Sequence, residues 1–167
     1  MNVDHVLETL NRNGVKYILI GGMNFLFRHK PVLTYDIDVW IEDEKANRDR
    51  CEKALAMLDA SWGKTDDEWA PVSTKSAGWL ERQSVFCLIS PHGSIDIFRT
   101  VKGLDSWMDS FLTGLDARTS SGVLFRSLSD EDMLKCQLAL EQSEQKHDRV
   151  IALKEAIGQS HGRPEKI

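Results

Sequence analysis

Long apolar runs, paired cysteines and zinc-type histidine spacings are all missing from this chain, and each absence removes a class of protein. No stretch approaches the roughly 18 consecutive apolar residues read as a membrane-spanning helix. The first twenty residues carry Asp4, Glu8 and Lys16 in a helix-like pattern, which is not that of a secretory leader. The three cysteines, Cys51, Cys87 and Cys136, are odd in number, far apart and form no C-x-x-C pair, so they read as free, buried thiols in a reducing cytoplasm. His29, His92, His147 and His161 have neither H-x-x-x-H spacing nor a cysteine partner, which argues against zinc. No G-x-S-x-G elbow is present, so a serine hydrolase is not indicated, and the further metal-binding histidines of a phosphohydrolase are absent too. Positive charge is short: 21 Lys and Arg stand against 26 Asp and Glu, for a net charge of −5. That balance weighs against tight, unassisted binding of nucleic acid while leaving room for RNA at a local basic patch.

What remains is an ordinary globular composition, 41% hydrophobic and 28% charged over 167 residues, which suits one domain with one core. The helical spacing of Val3, Val6, Leu7 and Leu10 predicts a helix over 3–13, stopped by Asn13-Gly14. Val15–Ile20 reads as a buried strand, Gly21-Gly22 ends it, and Met23–Arg28 reads as a short helix. After a loop at His29–Tyr35 comes a second strand, Asp36–Glu42, and then a helix capped by Asp43 and running to about Ala60. Residues 61–78 lack a clear period and are expected to be a loop that could receive an acceptor. Leu80–Ser90 and Ser94–Thr100 read as a hairpin turning at Pro91-His92-Gly93, followed by a short helix within Gly103–Leu112 and an extended segment at Val123–Leu128. Ser129-x-x-Asp132 has the form of a capping box, opening a helix with Met133, Leu134, Leu138 and Leu140 inward. A last helix over Asp148–Ile157 precedes a tail expected to fray from Gly158. This order predicts an α/β domain with a mixed central sheet flanked by helices: a core over 1–125 and C-terminal helices over 126–160.

The chemistry lies in three acidic residues and a glycine pair. Asp36-Ile37-Asp38-Val39 follows Gly21-Gly22 after thirteen residues, and Ile95-Asp96-Ile97 lies further on. Alternation along a strand puts Asp36 and Asp38 on one face with Ile37 and Val39 on the other. If the strand of Asp96 is a neighbour, three carboxylates converge. Two like charges about 5 Å apart repel by about 3 kcal/mol at an effective dielectric near 20, so such a cluster calls for a cation. Mg²⁺ suits it, because that ion accepts one or two carboxylates and completes its shell with water and phosphate oxygens. Two such ions would serve an in-line displacement at phosphorus, with Asp96 placed to accept a hydroxyl proton. Gly21 and Gly22 let a phosphate approach the backbone where a helix begins, with Asn24 as an added contact. Lys135 and Lys146 on the C-terminal helices are further candidates for the triphosphate. Each feature alone has a plainer reading: a tight turn, a solvated strand edge, a solvated helix face. Trp40, on the face of Asp38, could border the site, and core packing is the plainer role.

In this combination the chain resembles the nucleotidyltransferase superfamily, the fold of DNA polymerase β. The pattern is a hydrophobic-Gly-[Gly/Ser] turn, a short gap, a D-h-[D/E]-h triplet and a later h-[D/E]-h. It is matched here by Ile20-Gly21-Gly22, Asp36-Ile37-Asp38-Val39 and Ile95-Asp96-Ile97. The small bacterial members, AbiEii-type toxins and antibiotic nucleotidyltransferases, look most similar. Leu128–Leu134 and Lys146-His147-Asp148 look like the ending of such proteins. The resemblance implies Mg²⁺ held by Asp36, Asp38 and Asp96, an NTP donor at Gly21 and Gly22, and transfer of a nucleoside monophosphate to a hydroxyl of a small molecule, protein or RNA. The alternative is a binding module of the same fold without turnover, such as a toxin–antitoxin component, and a homodimer or antitoxin partner is allowed. Many relatives carry a basic residue shortly before the acidic triplet. Here Val32-Leu33-Thr34-Tyr35 stands instead, with Thr34 as the polar candidate and Arg28 or Lys30 upstream.

Overall fold

The computed structural model describes residues 1–161. Buried aliphatic positions alternate with polar ones along the strands of a mixed, eight-stranded sheet, and this alternation decides which face each helix covers. The strands are β1 (Tyr17–Leu19), β2 (Asp36–Ile41), β3 (Ser61–Trp62), β4 (Ala70–Pro71), β5 (Val85–Ser90), β6 (Gly93–Phe98), β7 (Leu115–Arg118) and β8 (Leu124–Ser127). The helices are α1 (Val3–Arg12), α2 (Gly21–Arg28), α3 (Lys45–Met57), α4 (Trp107–Thr113), α5 (Asp130–Leu138) and α6 (His147–His161). Spatial order is β4-β3-β5-β6-β2-β1-β8-β7. β2 runs antiparallel to β1 and parallel to β6, and β8 runs parallel to β1.

Each face of the sheet has its own apolar cluster. On one, Ile37, Val39, Ile41, Ile95 and Ile97 pack against Val6, Leu7 and Leu10 of α1 and Cys51, Ala54 and Leu55 of α3. On the other, Ile18, Trp40 and Phe98 meet Phe25 of α2, Met133 of α5 and Leu153 of α6. Trp40 is thus a core residue, 2% exposed, with its indole N–H donated to the Arg99 carbonyl at 3.2 Å. Asp36, Asp38 and Asp96 lie on this second face, where its apolar cover ends. Among the described residues no helix is long and apolar enough to cross a membrane.

Several sequence expectations are revised. Asp43 does not cap α3: Glu44 takes that place, because Arg48 and Arg99 draw the Asp43 carboxylate away at 2.7 and 2.9 Å. The stretch 61–78 is not all loop. It supplies β3 and β4 to the sheet edge, and Trp62 and Trp79 stack 5.6 Å apart in the core. Leu80–Ser84 is not strand, since Glu52 holds a 3₁₀ turn there by accepting the Gly78 and Leu80 N–H groups at 3.0 and 2.9 Å. β7 has no counterpart in the sequence reading. Ser129 caps α5, its hydroxyl accepting the Asp132 N–H at 3.2 Å, while the Asp132 carboxylate takes Lys135, and Leu138 is exposed rather than inward. All three cysteines are free, yet only Cys51 is buried; Cys87 is exposed and Cys136 half-buried. His92 is half-buried, with its ring 4.3 Å from that of His5. α6 continues through Gly158 to His161, and the rest of the tail expected to fray, 162–167, lies outside the described residues.

Candidate active site

The register of β2 against β6 builds the site. Asp38 stands directly opposite Asp96, and Asp36 opposite Ser94, while the intervening Ile37 and Ile95 point into the first core. The neighbourhood of strands that the sequence left conditional is therefore met, and the backbone ladder, rather than any side-chain bond, brings the acids together. On the far side of β6, Cys87 pairs with Asp96 across β5 and hydrogen-bonds to it.

The electrostatics follow from this crowding. Burial, and then the charges of Asp96 and Asp36, raise the Asp38 carboxyl to about 7 from its usual 3.8. A hydrogen bond from the Gly22 backbone N–H and the positive charge of Arg149 oppose that rise. Asp96 is raised as well, by burial and by Asp36, with the Cys87 thiol pulling the other way. The Cys87 thiol is itself lifted to about 11, by burial first and then by the charge of Asp96. Among the described residues no three His, Cys, Asp or Glu side chains form a ready-made cage for a metal ion. The donor set nevertheless fits a hard divalent cation: burial and mutual repulsion hold neighbouring carboxylates at elevated pKa even with Arg149 near Asp38, and Mg²⁺ needs only one or two of them besides water and phosphate.

The chain passes from β1 into α2 through Gly21, whose φ of +67° lies in the left-handed region that glycine tolerates. A side chain there would also collide with Asp38, since an added Cβ would fall 2.0 Å from Oδ2. At Gly22 an added Cβ would meet Thr34 Oγ1 at 2.7 Å and an Arg149 guanidinium nitrogen at 3.0 Å. The glycine pair thus forms the first turn of α2, beginning two residues earlier than the sequence suggested, with Asp38 against the Gly22 N–H. Thr34 borders this turn, its hydroxyl 3.4 Å from the Asp36 carbonyl.

Two other expected contacts are placed elsewhere. Asn24 is fully buried: its amide donates to the Leu128 carbonyl at 3.2 Å and accepts the Ser127 hydroxyl at 2.6 Å, so it ties α2 to β8 and is turned away from a ligand. Lys135 bonds Asp132 of its own helix at 2.6 Å, drawn there by i,i+3 proximity. Arg28 is likewise engaged, with Asp130 at 3.2 Å. A cation beside the glycine turn is Arg149, a residue the sequence reading did not single out although it follows Lys146-His147-Asp148 directly. It sits one turn ahead of the buried Leu153, and that helical phase was the available signal. Its guanidinium lies 5.7 Å from the centroid of the Phe25 ring.

Beside Asp38 opens a cavity of about 250 Å³ between the sheet, α2, α5 and α6. Its wall is mostly apolar, with Ile20, Phe25, Phe98, Met133 and Leu153, and Asp38, Lys102, Gln137 and Arg149 supply polar groups. Apolar walls with a few convergent polar groups are the general form of a small-molecule site.

No protein-family model matches the chain, and no curated protein matches its sequence. Solved structures do match its fold. A crystal structure of the aminoglycoside nucleotidyltransferase ANT(2″)-Ia in complex with adenylyl-2″-tobramycin aligns with a TM-score of 0.62 at 12% identity, covering 95% of this chain and 89% of that one. The chain has a nucleotidyltransferase fold. The solution structure of the antibiotic-resistance factor ANT(2″)-Ia aligns with a TM-score of 0.54 at 13% identity, over 95% and 82% of the two chains. TM1012 of Thermotoga maritima, a protein assigned as a nucleotidyltransferase, aligns with a TM-score of 0.51 at 15% identity, over 95% and 89%.

Proposed function

We propose that this protein transfers a nucleoside monophosphate from a nucleoside triphosphate to a hydroxyl group. The observation that carries the reading is the in-register pair Asp38 and Asp96 beside the left-handed turn at Gly21. Asp36, Asp38 and Asp96 would hold magnesium, which would supply charge to orient the triphosphate and to offset the negative charge of the leaving pyrophosphate. Gly21 and Gly22 admit the phosphates to the start of α2, and Thr34 borders them. Arg149, rather than Lys135, is the protein cation for the phosphate chain. The cavity lined by Phe25, Phe98 and Leu153 takes the nucleoside, held by apolar contact and ring stacking. Asp96 is the carboxylate we assign to the acceptor. Its elevated pKa suits it to take the proton from the acceptor hydroxyl as that oxygen bonds to the α-phosphorus and the bond to the β-phosphate bridge breaks.

A small hydroxylated molecule is the acceptor favoured by the likeness to ANT(2″)-Ia, whose crystal structure holds an adenylylated aminoglycoside. The test is incorporation of label from each α-³²P NTP, with magnesium, into aminoglycosides, RNA and protein in turn. Transfer that disappears in Asp36→Ala and Asp38→Ala, with folding retained, supports the reading. Tight NTP binding with no transfer to any acceptor would convert it to that of a binding module.

A further inference from the structure

Arg149 does more in this geometry than meet a phosphate. It reaches the Gly21–Gly22 turn from α6, lies over the ring of Phe25, and has no carboxylate within 4.0 Å among the described residues. Asp38 is the acid whose charge it feels. Asp38 meanwhile accepts the Gly22 N–H at the positive end of α2. A divalent cation arriving alone at Asp38 therefore meets two sources of positive potential, one of them a full charge. A cation arriving with a triphosphate does not, because the phosphate oxygens take up the guanidinium and the helix N-terminus together. The same helix walls the nucleoside cavity through Leu153, so filling that cavity and engaging Arg149 happen on one rigid element.

We propose that Arg149 is an internal counter-ion that sets the order in which the site fills, keeping the metal weakly bound until the phosphates of the nucleotide claim the guanidinium. This rests on the nucleotidyl-transfer reading above. Arg149 acts here as a positioning residue, and its signature is a change of opposite sign in two affinities. Removing the charge strengthens binding of the metal alone and weakens binding of the nucleotide.

The experiment titrates the full chain with Mn²⁺ by electron paramagnetic resonance. Titrations are run alone and with the α,β-methylene analogue of ATP, in the wild type, Arg149→Gln and Arg149→Lys. Arg149→Gln is expected to bind Mn²⁺ alone about tenfold more tightly, the scale of one positive charge acting on a divalent ion through nearly water-like screening. The same variant is expected to bind the analogue more weakly by at least about tenfold. Arg149→Lys keeps the charge and loses the planar fork, so it retains the wild-type affinity for Mn²⁺ alone. Unchanged or weaker Mn²⁺ binding in Arg149→Gln overturns the proposal, and so does an equal gain in Arg149→Lys. A wild type that takes up Mn²⁺ but never the analogue removes the transfer reading, and with it this proposal, through a separate readout.

Discussion

Replacing Asp38 with asparagine is expected to make the metal-free protein more stable at alkaline pH. Asp38 ionises near 7 in the folded chain against 3.8 for an ordinary aspartate, and burial is the leading cause. Between those two values the folded state holds more protons than the unfolded state, so stability falls as the pH climbs through that window. The stabilising protonated form is fully present at the acid end and lost above the folded pKa. A shift of this size corresponds to about 4 kcal/mol if taken whole. Asp38 keeps partial access to solvent, so we expect about half of that, ~2 kcal/mol, or ~6 °C in Tm for a chain of this length. The amide of Asp38→Asn is neutral at every pH and still offers an oxygen to the Gly22 N–H. Its advantage therefore grows from nothing near pH 3.8 to the full amount above pH 7. Urea unfolding of metal-free protein at about pH 4 and about pH 8 measures it. Magnesium should then raise the stability of the wild type and leave Asp38→Asn unmoved. Equal stability of the two proteins at the alkaline end, or an advantage that shrinks with rising pH, would refute the electrostatic argument.

Three further outcomes are expected. Gly21→Ala forces a side chain into the left-handed region, at a cost of about 1–2 kcal/mol, and against the Asp38 carboxylate. Its Tm should drop and its Mg²⁺-induced stabilisation vanish, whereas a variant that still gains stability from Mg²⁺ would contradict the steric reading. Asn24→Ala breaks the buried tie to Ser127 and Leu128 and should lose about 1–3 kcal/mol in denaturant melts, while nucleotide affinity at a temperature where it is fully folded stays unchanged. Weaker nucleotide binding there would restore Asn24 to the site. Asp96→Asn removes the largest charge acting on Asp38, so the Asp38 titration followed by NMR should move down in pH. Transfer should fall by about 10²–10⁴ as the proton acceptor is lost, and a normal rate would exclude Asp96 from that role.

The acids were legible in the sequence because alternation in Asp36-Ile37-Asp38 and Ile95-Asp96-Ile97 is a local property, read without knowing the fold. The pairing of their strands was not local, and the register Asp38 to Asp96 came only from the sheet. β3, β4 and β7 escaped notice because segments of two to four residues carry no measurable period. The partners of Asn24 and Lys135 went unforeseen for different reasons. The inward turn of Asn24 depends on β8, about a hundred residues away, as its bonds to Ser127 and Leu128 show. The capture of Lys135 by Asp132 is a helical i,i+3 contact that the spacing alone could have suggested. Arg149 was hidden among exposed charges until the path of α6 brought it over Phe25.

The register of β2 against β6 also bears on how the chain matures. These strands are parallel neighbours, so they cannot zip from a tight turn; α3, β3, β4 and β5 must be threaded between them first. Closing such a long loop before its contacts can repay the entropy is slow, which places this pairing late among the steps of folding. A partly folded chain would then have its hairpins and helices but no aligned carboxylates. Affinity for a divalent cation would therefore report that this pairing has formed, and magnesium captured at that moment would act as a latch on a long-range contact.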